Sequence, residues 1–114
     1  MTKEELIIKE ALNYHIDAFE LPEGCAPVDI SGIKELIKTA NFTDISLKAI
    51  YEYMLMIEHN VLLGGIIVNR MGDAFESALS SVGVSDSTAK FASDIWKLIL
   101  FDFIKEAFNI DDDE

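Results

Sequence analysis

Apolar residues recur along most of this chain at intervals of three and four positions, which is the spacing of amphipathic α-helices. With their caps included, this spacing predicts five helices at about residues 2–19, 29–41, 43–63, 66–82 and 85–108. The sequence contains no strand-like alternation of apolar and polar residues. We therefore expect an all-α fold, a compact bundle of about five helices whose short linkers make neighbouring helices mostly antiparallel.

Several helix ends carry recognisable signals. Thr2 is followed three positions later by Glu5, a spacing typical of a capping box at the start of the first helix. Gly83 followed by Val84 predicts a Schellman motif at the end of the fourth helix. Ser85 is then the expected N-cap of the fifth helix. These signals predict where the first and fifth helices begin and where the fourth ends.

The apolar stripes also predict which helices are buried. The first helix carries two neighbouring stripes, one including Ile7 and Tyr14 and the other Ile8 and Leu12. One broad buried face is therefore expected for it. The third helix is apolar almost all round, so we expect it to lie at the centre of the bundle. The pair Gly64-Gly65 is expected to break or kink the chain between the third and fourth helices.

The apolar face of the fifth helix changes direction partway along. The apolar residues of its second half lie roughly 130° around the helix from the stripe of its first half. These candidate interface residues are Leu100, Phe101, Ile104 and Phe108. Either the first helix covers them within one chain, or they form a surface for a partner or a second copy of the chain.

Composition restricts the possible partners. The 114 residues carry a formal net charge of −12, and half of them are apolar. We expect one helical domain over residues 1–110 and a disordered acidic tail from Asp111 to Glu114. Such negative charge argues against nucleic acid and anionic membranes as partners, and it favours a basic protein partner or simply solubility. Cys25 is the only cysteine, and no signal peptide or membrane span is visible, so we expect a cytoplasmic protein.

The sequence offers few candidates for chemistry. His15 lies within the apolar face of the first helix, where a core or interface role is more common than metal binding, although its contact could respond to pH. Cys25 lies in a loop with acidic neighbours that disfavour a reactive thiolate. Met56 points away from the main stripe of its helix. We predict no catalytic residue, no metal site and no cofactor.

The second and third helices are joined through Asn41-Phe42-Thr43 with the spacing of a helix-turn-helix motif. The stretch from Ile33 to Tyr53 loosely resembles the DNA-binding part of a transcriptional regulator, which would imply DNA as a partner. The would-be recognition helix, however, carries a net charge of −1 from Asp44, Lys48 and Glu52. It therefore lacks the basic residues that phosphate contacts need.

The leading functional hypothesis is a non-enzymatic helical module for protein–protein interaction, such as an adaptor, inhibitor or regulatory subunit. It depends on the acidity, the missing catalytic motifs and the apolar face that turns. The alternative is a small-ligand or lipid-binding bundle with a pocket between helices. The residues expected to line that pocket are Tyr51, Tyr53, Met54, Phe75 and Trp96. The DNA-binding interpretation comes third.

Overall fold

The chain folds into five α-helices, and no strand occurs among the residues that the computed structural model describes, 1–21 and 30–108. The helices are α1 Lys3–Ala18, α2 Ile30–Asn41, α3 Asp44–His59, α4 Leu63–Ser81 and α5 Asp86–Ala107. The all-α prediction is confirmed. Across these residues, no helix combines the length and the apolar character needed to cross a bilayer. Cys25, most of the predicted loop around it and the acidic tail lie outside the described residues.

The predicted capping box is present at the start of α1. The backbone N–H of Glu5 donates to Thr2 Oγ1 at 3.1 Å, and the backbone N–H of Thr2 donates to Glu5 Oε2 at 3.0 Å. Two N–H groups that have no partner within the helix are thereby satisfied. At the start of the last helix, Ser85 caps α5 as predicted, and its hydroxyl accepts a hydrogen bond from the N–H of Thr88.

The predicted Schellman motif closes α4. The N–H of Val84 donates to the carbonyl of Leu79 at 3.0 Å, and the N–H of Gly83 donates to that of Ser80 at 3.2 Å. Gly83 adopts a φ of +94°, a conformation that costs a side-chain-bearing residue free energy. Val84 packs against the core, which supplies the hydrophobic contact of the motif.

The central helix is α5, so the expectation that α3 would be central was wrong. α5 packs against α1, α2 and most extensively α4, whereas the main neighbours of α3 are α1 and α4. The buried residues of α5 extend around about half of its circumference. They are Ala89, Ala92, Ser93, Ile95, Trp96, Ile99, Leu100, Phe103 and Ile104. α3 carries more apolar surface than its two neighbours cover, and several of its apolar side chains are exposed.

The broad buried face predicted for α1 was also wrong. The stripe that includes Ile8 and Leu12 is buried, and Ile16 extends it. Ile7 and Tyr14, from the other stripe, are 57% and 69% exposed. α1 lies at the edge of the bundle against α3, α5 and α2, so its far side meets no other helix of the described chain.

The glycine pair does not break the chain between α3 and α4. α4 begins at Leu63, so Gly64 and Gly65 lie in its first turn. The direction of the chain changes instead at residues 60–62, where Asn60 Oδ1 accepts a hydrogen bond from the N–H of Leu62 at 3.2 Å. Gly64 is buried, and a Cβ at this position would meet Ile104 on α5 at 3.7 Å, an ordinary van der Waals contact.

The seam between α4 and α5 contains one close approach of a lysine to a glycine. The aliphatic part of Lys97 on α5 lies directly over Gly72 on α4. The Lys97 ammonium then reaches Asp73 Oδ1 at 2.8 Å. This hydrogen bond to the Asp73 carboxylate raises the pKa of Lys97 above its ordinary value.

Candidate functional site

The four candidate interface residues do not share one surface. Leu100 and Ile104 are buried in the core of this same chain, so the prediction that they lie on an interface surface was wrong. Phe108 is partly buried against the core. Phe101 alone is exposed, at 43%, and Lys105 Nζ lies 4.8 Å from the centre of its ring. The change of face on α5 is accommodated because α1, α2 and α4 surround this helix on several sides.

His15 ties α1 to α5. Its Nε2 lies 2.9 Å from Glu106 Oε2, and its ring packs edge-on against Tyr14 and Phe103. The histidine is half-buried, whereas the Glu106 carboxylate is largely exposed. This is the geometry of a structural contact between two helices. Across residues 1–21 and 30–108, no three His, Cys, Asp or Glu side chains cluster as a metal site would require.

An apolar groove lies at the corner where α3 turns into α4. This corner groove has a volume of about 280 Å³. Its lining residues are Tyr53, Met56, Leu63, Ile66, Ile67 and Arg70. Met56 and Ile66 are 51% and 54% exposed, and in the adjoining turn Leu62 is 88% exposed. Large apolar side chains thus face solvent on both walls of a concave surface.

Helical geometry explains how the corner groove forms. Tyr53 and Met56 are three residues apart on α3 and lie off its buried stripe, which includes Ile50 and Ile57. On α4, Ile66 and Arg70 are four residues apart and therefore share a face. The turn at residues 60–62 brings these two faces together. Met56 stands out in the sequence because it lies off the apolar stripe of its helix. No feature of the sequence distinguishes Ile66 in the same way.

A second concavity, the inner cavity, adjoins the corner groove and has a volume of about 320 Å³. It lies among the end of α2, α3, α4 and α5. Its walls include Ile50, Tyr53, Arg70, Met71, Phe75 and Trp96. Tyr53 and Arg70 line both concavities, so the two sites share an edge. Two of its lining residues, Trp96 and Phe75, are themselves buried.

Three of the five residues predicted for a pocket therefore meet at the inner cavity: Tyr53, Phe75 and Trp96. Tyr51 and Met54 do not line it, and they pack partly buried against the core. The reason is helical rotation, since on α3 Tyr51 and Met54 are offset by about 160° and 100° from Tyr53. Arg70 was not predicted, because an exposed arginine on the polar side of a helix gives no signal of its own in the sequence.

The electrostatics of the shared edge are unusual for so acidic a chain. Arg70 is the only arginine in the sequence. Among the described residues no carboxylate lies within ion-pairing distance of its guanidinium, whereas Lys38, Lys90 and Lys97 each pair with an aspartate. The indole Nε1 of Trp96 is buried and has no hydrogen-bond acceptor in the part of the chain that the structure describes. Within the described part of the chain, Arg70 thus lacks a carboxylate partner and the buried Trp96 N–H lacks an acceptor.

Comparisons of the chain with protein-family models, with curated proteins and with solved structures found no match. The functional argument consequently depends on the geometry of the corner groove and the inner cavity. The helix-turn-helix interpretation gains no support from the geometry. α2 and α3 pack mainly on other helices, and the charged residues Asp44, Lys48 and Glu52 of α3 are all exposed without forming a basic surface.

Proposed function

We propose that this protein is a non-enzymatic interaction module of the cytoplasm, and that the corner groove receives an apolar segment of a protein partner. The observation that carries this proposal is the exposure of Met56, Leu62 and Ile66 around a concave surface. Contiguous apolar side chains in solvent are typical of binding surfaces, because a monomer gains stability by covering them.

The shape and chemistry of the corner groove suit an amphipathic helix of the partner. A helix laid into a groove buries apolar residues from successive turns, and this is a recurrent mode of peptide recognition. Tyr53 provides a rigid aromatic wall of the kind enriched in binding hot spots. Met56 provides a flexible, polarisable side chain that adapts to the residue opposite.

The charge of the chain favours a basic partner. The net charge of −12 creates a negative potential around the molecule, which raises the rate of encounter with a positively charged protein. On α3, Glu52 and Glu58 are exposed and can meet lysine or arginine residues that flank the docked segment. Binding is therefore expected to weaken as salt is added, because exposed charges are screened.

The test is capture of binding proteins from extracts of the native source with three versions of the chain. Met56→Lys places a charge in the corner groove, and a loss of about thirtyfold in affinity is expected, as for one interface hot spot. Leu55→Lys is the matched control: Leu55 is the neighbouring exposed residue of α3, at 43%, but it does not line the groove. A photocrosslinker at Ile66 should label the same partner.

Equal capture by the wild type and Met56→Lys would contradict the proposal, as would a partner that Leu55→Lys loses equally. A second copy of this chain is the alternative occupant, and light scattering distinguishes it by doubling the mass. In that case Met56→Lys restores the monomer, whereas Phe101→Asp does so only if the exposed end of α5 forms the contact. A monomeric mass for all these proteins excludes self-association.

A further inference from the structure

We infer that the corner groove has a competing occupant within the chain itself. The acidic segment of residues 109–114, which follows α5 and lies outside the described residues, lies along the α4 wall of the groove and competes with the partner. This inference rests on the proposed function of the groove, because covering the groove regulates the protein only if a partner binds there.

The end of α5 places this segment beside the corner groove. Ile104 lies against the start of α4, where a Cβ added to Gly64 would be 3.7 Å from it. Leu63, the neighbour of Gly64, lines the groove. α5 ends at Ala107, about 5 Å further along its axis than Ile104. Since six extended residues span about 20 Å, the segment is long enough to follow α4 from Leu63 to Arg70, a distance of about 10 Å.

The charge of the α4 wall complements the charge of the segment. Four of the six residues of the segment, at positions 111–114, are acidic. Residues 60–72 include no acidic residue, and the only charged residue among them is Arg70. The start of α4 adds the partial positive charge of a helix N-terminus. This side of the groove therefore attracts carboxylates, although the chain as a whole carries a net charge of −12.

One apolar residue gives the segment an anchor. Ile110 is the only apolar side chain in the segment. At the start of α4, Leu62 and Ile66 are 88% and 54% exposed, and Ile110 packs against them. On the opposite wall, Glu52 and Glu58 of α3 are exposed and repel carboxylates. The segment therefore lies along α4 rather than along α3.

Attachment to the same chain makes a weak contact effective. A segment joined to its binding site through a short linker has an effective concentration in the millimolar range, so a few contacts are enough to populate the covered state. If about two-thirds of the molecules are covered, the apparent affinity for a competing partner falls about threefold. A partner that displaces the segment also releases carboxylates, which can pair with its own basic residues.

Isoleucine methyl relaxation with a neutral, soluble gadolinium chelate tests the cover without any partner. The neutralised variant carries Asp111→Asn, Asp112→Asn and Asp113→Asn. Its Ile66 δ1 methyl group should show about a twofold larger relaxation enhancement than the wild type, because fewer molecules are covered. Arg70→Gln should have the same effect. Ile45, which is 84% exposed at the start of α3, is the internal control and should not change.

The second measurement is the affinity for the captured partner. The neutralised variant should bind it about threefold more tightly than the wild type. A matched variant loses the same charge at three exposed positions of α1 and α2 through Glu4→Gln, Glu10→Gln and Glu35→Gln. The matched variant should bind no more tightly than the wild type, because lower acidity alone slows the encounter with a basic partner.

Two results would overturn the inference. The first is an Ile66 enhancement that the neutralised variant and Arg70→Gln leave unchanged, or that the matched variant raises equally. The second is equal partner affinity for the neutralised and matched variants. Neither result affects the comparison of Met56→Lys with Leu55→Lys. If that comparison fails instead, the methyl measurement still decides whether the segment covers the groove, so the two proposals fail separately.

Discussion

Replacing Gly72 by alanine should destabilise the protein, although alanine is the better helix former. An alanine Cβ at this position would overlap Cγ and Cε of Lys97 and lie 2.8 Å from its Cδ. The overlap includes Cγ, which is close to the backbone of α5. Rotating only the outer atoms of the Lys97 side chain therefore cannot relieve it, and the whole side chain must move away from α4. The ion pair between Lys97 and Asp73 is then lost as well.

The magnitudes decide the sign. Alanine in place of glycine within a helix gains about 1 kcal/mol. Forcing a packed side chain out of position costs about 2 kcal/mol, and the partly exposed ion pair of Lys97 adds at most a fraction of 1 kcal/mol. Gly72→Ala should therefore lower the free energy of unfolding by about 1 kcal/mol. In a Lys97→Ala background the obstacle is gone, and the same substitution should raise stability by about 1 kcal/mol.

Urea unfolding of the wild type, the two single variants and the double variant gives this coupling directly. Gly65→Ala is the matched control, since a Cβ there meets no atom within 4 Å and Gly65 lies in the same helix. It should be neutral or slightly stabilising in both backgrounds. The proposed explanation, that Lys97 packing over Gly72 makes alanine unfavourable at position 72, is refuted by either of two results. One is that Gly72→Ala stabilises the wild type; the other is that it has the same effect with and without Lys97.

Two further predictions follow from helix-end geometry and from the Lys97 pair. Gly83→Ala should lower the free energy of unfolding by about 1 kcal/mol, because Gly83 adopts a φ of +94°; an unchanged urea midpoint would contradict this. Hydrogen bonding to Asp73 raises the pKa of Lys97 above 10.5 in the folded state. The resulting stabilisation is fully present below pH 10.5 and is lost as the pH rises through the folded-state pKa. Unfolding experiments on both sides of pH 10.5 should show this loss in the wild type but not in Asp73→Asn, and parallel pH profiles would exclude it.

The candidate sites show the limit of sequence reasoning most clearly. The sequence places Met56 off the main stripe of its helix. Tyr53, Phe75 and Trp96, which line the inner cavity, are three of the five residues that the sequence predicts for a pocket. Arg70 was missed, because its position arises only in the tertiary structure: it lies at the shared edge of two concavities, with no carboxylate partner among residues 1–21 and 30–108.

By itself the sequence determined the five helices and several of their ends. The capping box at Thr2, the N-cap at Ser85 and the Schellman motif at Gly83 each involve residues within six positions of one another. Such local interactions form whatever the rest of the chain does, so their patterns can be recognised in one dimension. The apolar spacing that predicts helices is local for the same reason.

Only the tertiary structure decided which apolar faces are covered. The sequence of α5 showed two apolar directions, and packing against α1, α2 and α4 buried most of both, including Leu100 and Ile104. α3 is more apolar all round, yet its position away from the centre leaves Met56 in solvent. The physical reason is that a helix buries a face only where another helix lies against it. That arrangement depends on contacts between distant parts of the chain, which no local pattern records.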